Sequence, residues 1–202
     1  MFALWITAFA PHPGWATEVA GVRLFDTPPA AAPTGPTTAT LIESWNDGQP
    51  YQPVGVYAAC FGFAYVPAQT YVLERVEFYA GGLAGPVSVS IHQDIGSGWP
   101  TGPTLSSVAY AESATLGWQG ADLVPPLLVL AGTTYYIYYS PVQGAPTSTC
   151  SAGTPIPHSW AYDCATWEGP QLVFIWLARF HGTPLPTRTS AVTWSAIKRL
   201  YR

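Results

Sequence analysis

Trp99, Trp118, Trp160, Tyr162 and Trp167 are the residues of this chain whose types best suit a binding task. They fall in predicted loops or at strand ends, where a flat ring can stack on a sugar face or anchor a protein interface. The same rings can instead fill the two ends of a core, since large aromatics are highly buried on average. These five are the candidate ligand-binding residues. A lectin-like platform would require Trp99 and Trp118 to be exposed and close together without a partner chain. Trp5 and Phe9 near one end, with Trp194, Ile197 and Tyr201 near the other, are the candidate partner contacts.

Other chemistry finds little support. There is no G-x-S-x-G nucleophile elbow, although Ser, His and Asp are all present. Gly81-Gly82 and Gly96 to Gly98 read as hairpin turns, not as a phosphate-cradling loop. His12, His92, His158 and His181 fall in no metal-ligand spacing, and no C-x-x-C occurs, so no zinc site is expected. Asp94 can join Asp122 or Glu74 around a calcium ion only if the fold brings them together, which sequence separation does not decide. Glu74 and Glu77 stand three apart on a strand, which sends them to opposite faces and rules out an acid–base pair. No catalytic residue, metal or cofactor is therefore predicted, and an enzyme is not expected.

The chain has three cysteines. Cys150 and Cys164 bracket a loop rich in Gly and Pro and are predicted to close it, a link worth about 3 kcal/mol in the loop-entropy model. The alternative is a reduced pair. Cys60 lies in the apolar run Val56 to Val66 and is expected to be a buried free thiol.

The elements that must position these residues are strands. Val87, Val89 and Ile91 alternate with Ser88, Ser90 and His92, the period of a half-buried strand. Tyr135 to Tyr139 forms a second, aromatic strand introduced by Gly132. Further strands are predicted near 54–66, 71–80, 86–93, 104–110, 121–130, 134–142 and 171–181. On the last, Leu172, Phe174, Trp176 and Phe180 share one face, and Val173, Ile175 and Leu177 the other. Residues 143–170 are predicted to be a long irregular loop, a length that usually carries function. Turn signals at this spacing predict an all-β fold, an antiparallel β-sandwich or jelly roll.

The chain divides into an apolar N-terminal arm, 1–26, a Pro-rich linker, 27–40, a body, 41–183, and a C-terminal tail, 184–202. The linker has the composition of an extended segment. Thr189 or Ser190 can cap a short C-terminal helix that aligns Trp194, Ile197 and Tyr201. Charged residues make up only 9% of the chain, so solubility must come from uncharged polar groups or from burial in an assembly. The body is acidic and the tail basic, with Arg188, Lys198, Arg199 and Arg202 unopposed. Such a body does not suit nucleic acid. Met1 to Ala10 is apolar, but it lacks a basic flank and ends at Pro11, so it does not read as a signal peptide. No run reaches the roughly 20 apolar residues of a membrane span.

Residues 71–140 resemble the β-sandwich modules of exported bacterial proteins of uncharacterised function, which are similar to carbohydrate-binding jelly rolls. The resemblance rests on YVLERVEFYAGG, VSVSIHQDIGSGWPTGPTL, LGWQGADL and LVLAGTTYYIYYS. It implies a sandwich architecture and a possible glycan ligand.

Two functions are expected from this sequence. The first is a non-catalytic structural or interaction protein, a subunit of a larger assembly such as a phage virion surface or tail component, whose partners are other protein subunits in a homo-oligomer or larger complex. The alternative is a secreted carbohydrate-binding or adhesion module. The corresponding locations are the virion or the extracellular space.

Overall fold

The computed structural model describes residues 39–48, 51–56, 58–142, 146–150, 153–172 and 175–185, together with short strands at 18–19 and 22–24. The fold is all-β, with every ladder antiparallel and no helix among the described residues. In chain order the strands are β1 (Glu18–Val19), β2 (Val22–Leu24), β3 (Thr40–Trp45), β4 (Tyr51–Val56), β5 (Cys60–Tyr65), β6 (Tyr71–Ala80) and β7 (Gly85–Gln93). They continue as β8 (Thr104–Glu112), β9 (Gly117–Val129), β10 (Tyr135–Ser140), β11 (Pro146–Cys150), β12 (His158–Ala161), β13 (Glu168–Gln171) and β14 (Ala178–Pro184).

These strands make one curled sheet. Its first half sets β14 between β3 and β6, with β9 on the other side of β6. Its second half runs β8-β7-β10-β5-β12-β13. β9 joins the halves, and its prolines explain how. Pro125 and Pro126 have no N–H to give the β6 ladder. The β6–β9 register accordingly breaks, from Leu73↔Leu127 to Arg75↔Asp122. The freed stretch turns to β8, where Val124 pairs with Ser107 and the Ser106 hydroxyl donates to the Pro125 carbonyl.

Alternation then fills the inside of the curl. Val87, Val89 and Ile91 of β7, Tyr135, Ile137 and Tyr139 of β10, and Phe61, Phe63 and Tyr65 of β5 all point into the core. They meet rings from the first half: Phe78 stacks on Tyr139 at 4.1 Å between centroids, and Tyr65 on Phe180 at 4.5 Å. Such pairs contribute about 0.5–1.5 kcal/mol each beyond the area they bury. The face assignment for the last strand holds from Ile175 onward, but Leu172, placed on the face of Trp176 and Phe180, is exposed. Trp176 and Phe180 enter the main core, whereas Ile175 and Leu177 join Tyr79, Leu116 and Trp118 in a smaller cluster.

Several sequence expectations need correction. The run 54–66 is two strands in different halves, β4 and β5, and the expected irregular stretch 143–170 contains β11, β12 and β13. β3 had no strong signal. The last strand begins at Ala178, and Leu172 before it is exposed. Most of the arm and linker, and the predicted C-terminal helix, lie outside the described residues.

Candidate functional site

The outer face of the second half carries the candidate site. Ser88, Ser90 and His92 face outward from β7 because their neighbours face inward, and Tyr136, Tyr138 and Ser140 do so from β10. Register aligns them: Tyr138 lies opposite Ser90 on one side and Gly62 of β5 on the other. Ser159 of β12 continues the row beyond Gly62 and donates to its carbonyl at 3.2 Å. Ser90, Tyr138, Gly62 and Ser159 thus form one row across four strands.

Two loops rise over this row. The β7–β8 loop lays Pro100 on Gly62; a Cβ there would come within 2.6 Å of Pro100 Cδ, so only glycine fits without displacement. The stretch after β12 forms the other wall. Asp163 organises it by accepting from the backbone N–H groups of Ala165 and Thr166 at 2.9 and 2.7 Å. These bonds favour the charged carboxylate and hold its pKa down at about 2. Between the walls lies an open groove of about 370 Å³, lined by Ser90, His92, Pro100, Thr101, Tyr138, Cys164, Ala165 and Trp167. Three rings run along it: His92 is 5.9 Å from Tyr138, and Tyr138 is 6.2 Å edge-on from Trp167.

The disulfide that pins the second wall corrects the sequence reading. It joins Cys60 to Cys164, with Cα atoms 5.3 Å apart, and not Cys150 to Cys164. The cause is topological. β12 pairs with β5 so that Ala161 lies opposite Cys60, and the chain then turns back through Cys164, whose φ is 58°. Cys150 ends β11, opposite Tyr51 of β4, in the other half of the sheet. Proximity in sequence was the wrong guide because β12 crosses between halves within the supposed loop. Cys60 is buried as expected but is not free.

Of the five candidate ligand-binding residues, the structure places only Trp167 in the groove. Tyr162 is 55% exposed on the neighbouring loop. Trp160 is buried against His158 in the core. Trp99 is half-buried in the β7–β8 loop. Trp118 packs edge-on against Tyr79 at 5.4 Å and lies 4.1 Å under the Arg179 guanidinium. Trp99 and Trp118 therefore flank opposite ends of β8, a strand about 26 Å long at roughly 3.3 Å per residue step, and cannot form one platform. Trp5, Phe9, Trp194, Ile197 and Tyr201 lie outside the described residues. Sequence reasoning missed Ser90, His92, Thr101 and Tyr138. Alternation put three of these on strand faces, but only the cross-strand register shows that they meet.

The carboxylates considered for calcium have other tasks. Asp94 accepts from the Gly96 N–H at 2.7 Å, Glu74 from the Thr183 hydroxyl at 2.7 Å, and Asp122 from Arg75 at 3.4 Å. No group of three or more potential metal ligands occurs among the described residues. A second polar cluster, on β6 and β14, bonds among its own members. Glu77 accepts from Arg75 Nε at 2.9 Å and from His181 Nε2 at 3.0 Å. Burial raises the Glu77 pKa, but these two bonds outweigh it and hold the carboxyl below its ordinary value. That cluster ties strands together. No helix among the described residues is long and apolar enough to cross a membrane.

Fold and groove together define an antiparallel β-module with an aromatic-walled surface groove pinned by a disulfide. Residues 49–154, more than half of the chain, match a family described as a domain of unknown function, DUF4082. The chain belongs to that family. The comparison with curated proteins and that with solved structures yielded no match.

Proposed function

We propose that this chain is a non-catalytic carbohydrate-binding module of jelly-roll type that takes its ligand in the Ser90–His92–Tyr138–Trp167 groove. The observation that carries this reading is the row of rings beside hydroxyls: Trp167 and Tyr138 stand 6.2 Å apart in a groove that Ser90 and Thr101 also line. A sugar offers an apolar face to a ring and hydroxyls at its edge, which this pattern complements. Sequence resemblance to carbohydrate-binding jelly rolls supports the same reading. A glycan array followed by titration of the hit tests it. Trp167→Ala is expected to abolish binding, and Trp118→Ala, whose ring lies on the other half, to leave it intact. A saturable hit that survives Trp167→Ala would place the ligand elsewhere.

A second reading keeps the chain as a subunit of a larger assembly such as a phage virion surface or tail component. It is favoured by Val124, 73% exposed, with Leu128 of the same strand and Leu130 just beyond its end also exposed. Sedimentation of the intact chain tests it, and the mass of a single chain at all concentrations would remove it.

A further inference from the structure

Two of the groove's hydroxyls, those of Ser90 and Thr101, have their protons committed to the protein. His92 Nδ1 lies 2.8 Å from the Gly102 carbonyl, which can only accept, so Nδ1 carries the ring proton. With the ring neutral, Nε2 is then an acceptor, and Ser90 Oγ at 2.8 Å must donate to it. Ser97 Oγ donates to the Trp99 carbonyl at 3.0 Å, which uses its single proton. Thr101 Oγ1, 3.0 Å from Ser97 Oγ, is therefore the donor in that pair. The Tyr138 hydroxyl lies against Cys60 Sγ, a disulfide sulfur with no proton to give and little power to accept one, so Tyr138 is not counted among the committed donors. Ser90 and Thr101 are left facing the groove with acceptor lone pairs alone.

Charge points the same way. No Lys or Arg lines the groove among the described residues. Between residues 39 and 185 the only basic side chains besides histidine are Arg75 and Arg179. Both sit on the other half of the sheet, Arg75 held by Glu77 and Arg179 by Asp47 at 2.9 and 3.0 Å. Asp163 and Glu168 flank the Trp167 wall. Among the described residues, an anionic ligand would meet these lone pairs and negative charge with no Lys or Arg to offset the loss of its water.

We infer that the groove selects sugars that bring hydrogen-bond donors and no negative charge: neutral or amine-bearing oligosaccharides, with uronic-acid or sulfated ones rejected. This rests on the carbohydrate-binding reading and adds the ligand's polarity to it. The test titrates the intact, oxidised protein with neutral hexose and pentose oligomers, a glucosamine oligomer and an oligogalacturonate of equal length. The neutral or amine-bearing sugars are expected to bind, with the galacturonate weaker by about tenfold or more, the scale of one lost or mismatched charged hydrogen bond. Ser90→Ala should weaken neutral binding, and Thr101→Lys, which puts a cation on an exposed loop position, should narrow the gap to the galacturonate. If the galacturonate binds as tightly as neutral sugars, and Trp167→Ala abolishes it, the polarity inference is wrong while the groove remains the site. If no sugar of any charge binds, the carbohydrate reading itself fails, and the inference with it.

Discussion

Pro100 rests directly on Gly62: a Cβ at Gly62 would lie 2.6 Å from Pro100 Cδ and 2.7 Å from Ser159 Oγ. The contact seats the β7–β8 loop on the sheet and so builds one wall of the groove. Gly62→Ala should displace that loop, cost about 1–3 kcal/mol as an overpacked site does, and weaken ligand binding. Urea midpoints and ligand titration check both effects. Unchanged stability would mean that the loop yields freely and that Pro100 is not seated as described.

The other wall depends on the Cys60–Cys164 bridge, which closes a loop of 104 residues in sequence. A link of that span is worth about 4–5 kcal/mol in the loop-entropy model. In denaturant without reductant one thiol should react, and three should react with reductant. The Cys60→Ser/Cys164→Ser pair should lower stability by a few kcal/mol and release Trp167, weakening ligand binding. Protection of Cys150 in the oxidised protein would contradict the pairing.

Glu112 is buried on the core side of β8, with neither carboxylate oxygen hydrogen-bonded among the described residues. Burial pushes its pKa up to about 7 from an ordinary 4.5. Between these values the native state holds a proton that the unfolded chain has lost. The contribution is therefore fully present below pH 4.5 and lost as pH rises through 7. Glu112→Gln should match the parent near pH 4 and exceed its stability by roughly 3 kcal/mol at pH 8. Equal denaturation midpoints at pH 8 would show that the carboxylate has a partner or water.

His158 has the opposite sign. It sits fully buried among Phe61, Phe63, Trp160 and Trp176, and burial lowers its pKa to about 4 from 6.5. Below pH 6.5 the unfolded chain takes up a proton that the native ring refuses, so stability falls as pH drops toward 4. The full loss is roughly 3 kcal/mol. In the parent this loss and the Glu112 contribution nearly cancel over that window, so His158→Leu should leave the Glu112 slope alone, a denaturation midpoint that rises as pH falls from 7 toward 4.5. Because Glu112 and His158 oppose each other over nearly the same window, each single variant should reveal the slope of the residue that remains. A His158→Leu profile with the same pH dependence as the parent's would show that His158 does not oppose Glu112.

How much of this was legible beforehand follows from the range of the forces involved. Alternation is local: Val87, Val89 and Ile91 against Ser88, Ser90 and His92 specified both the strand and its inward face, and Tyr135 to Tyr139 did the same for β10. The all-β antiparallel class and the strand at 71–80 followed from such patterns and from the turn residues between them. The groove did not, because it needs β10 registered between β7 and β5 with Tyr138 opposite both Ser90 and Gly62, and register depends on contacts distant in sequence. The disulfide failed for the same reason. Cys150 and Cys164 are near in sequence, but β11 and β12 belong to different halves of the sheet. Residue types along the chain determined which faces are apolar. Only the curl of the sheet, turned at Pro125 and Pro126, decided which rings met the core and which were left around a groove.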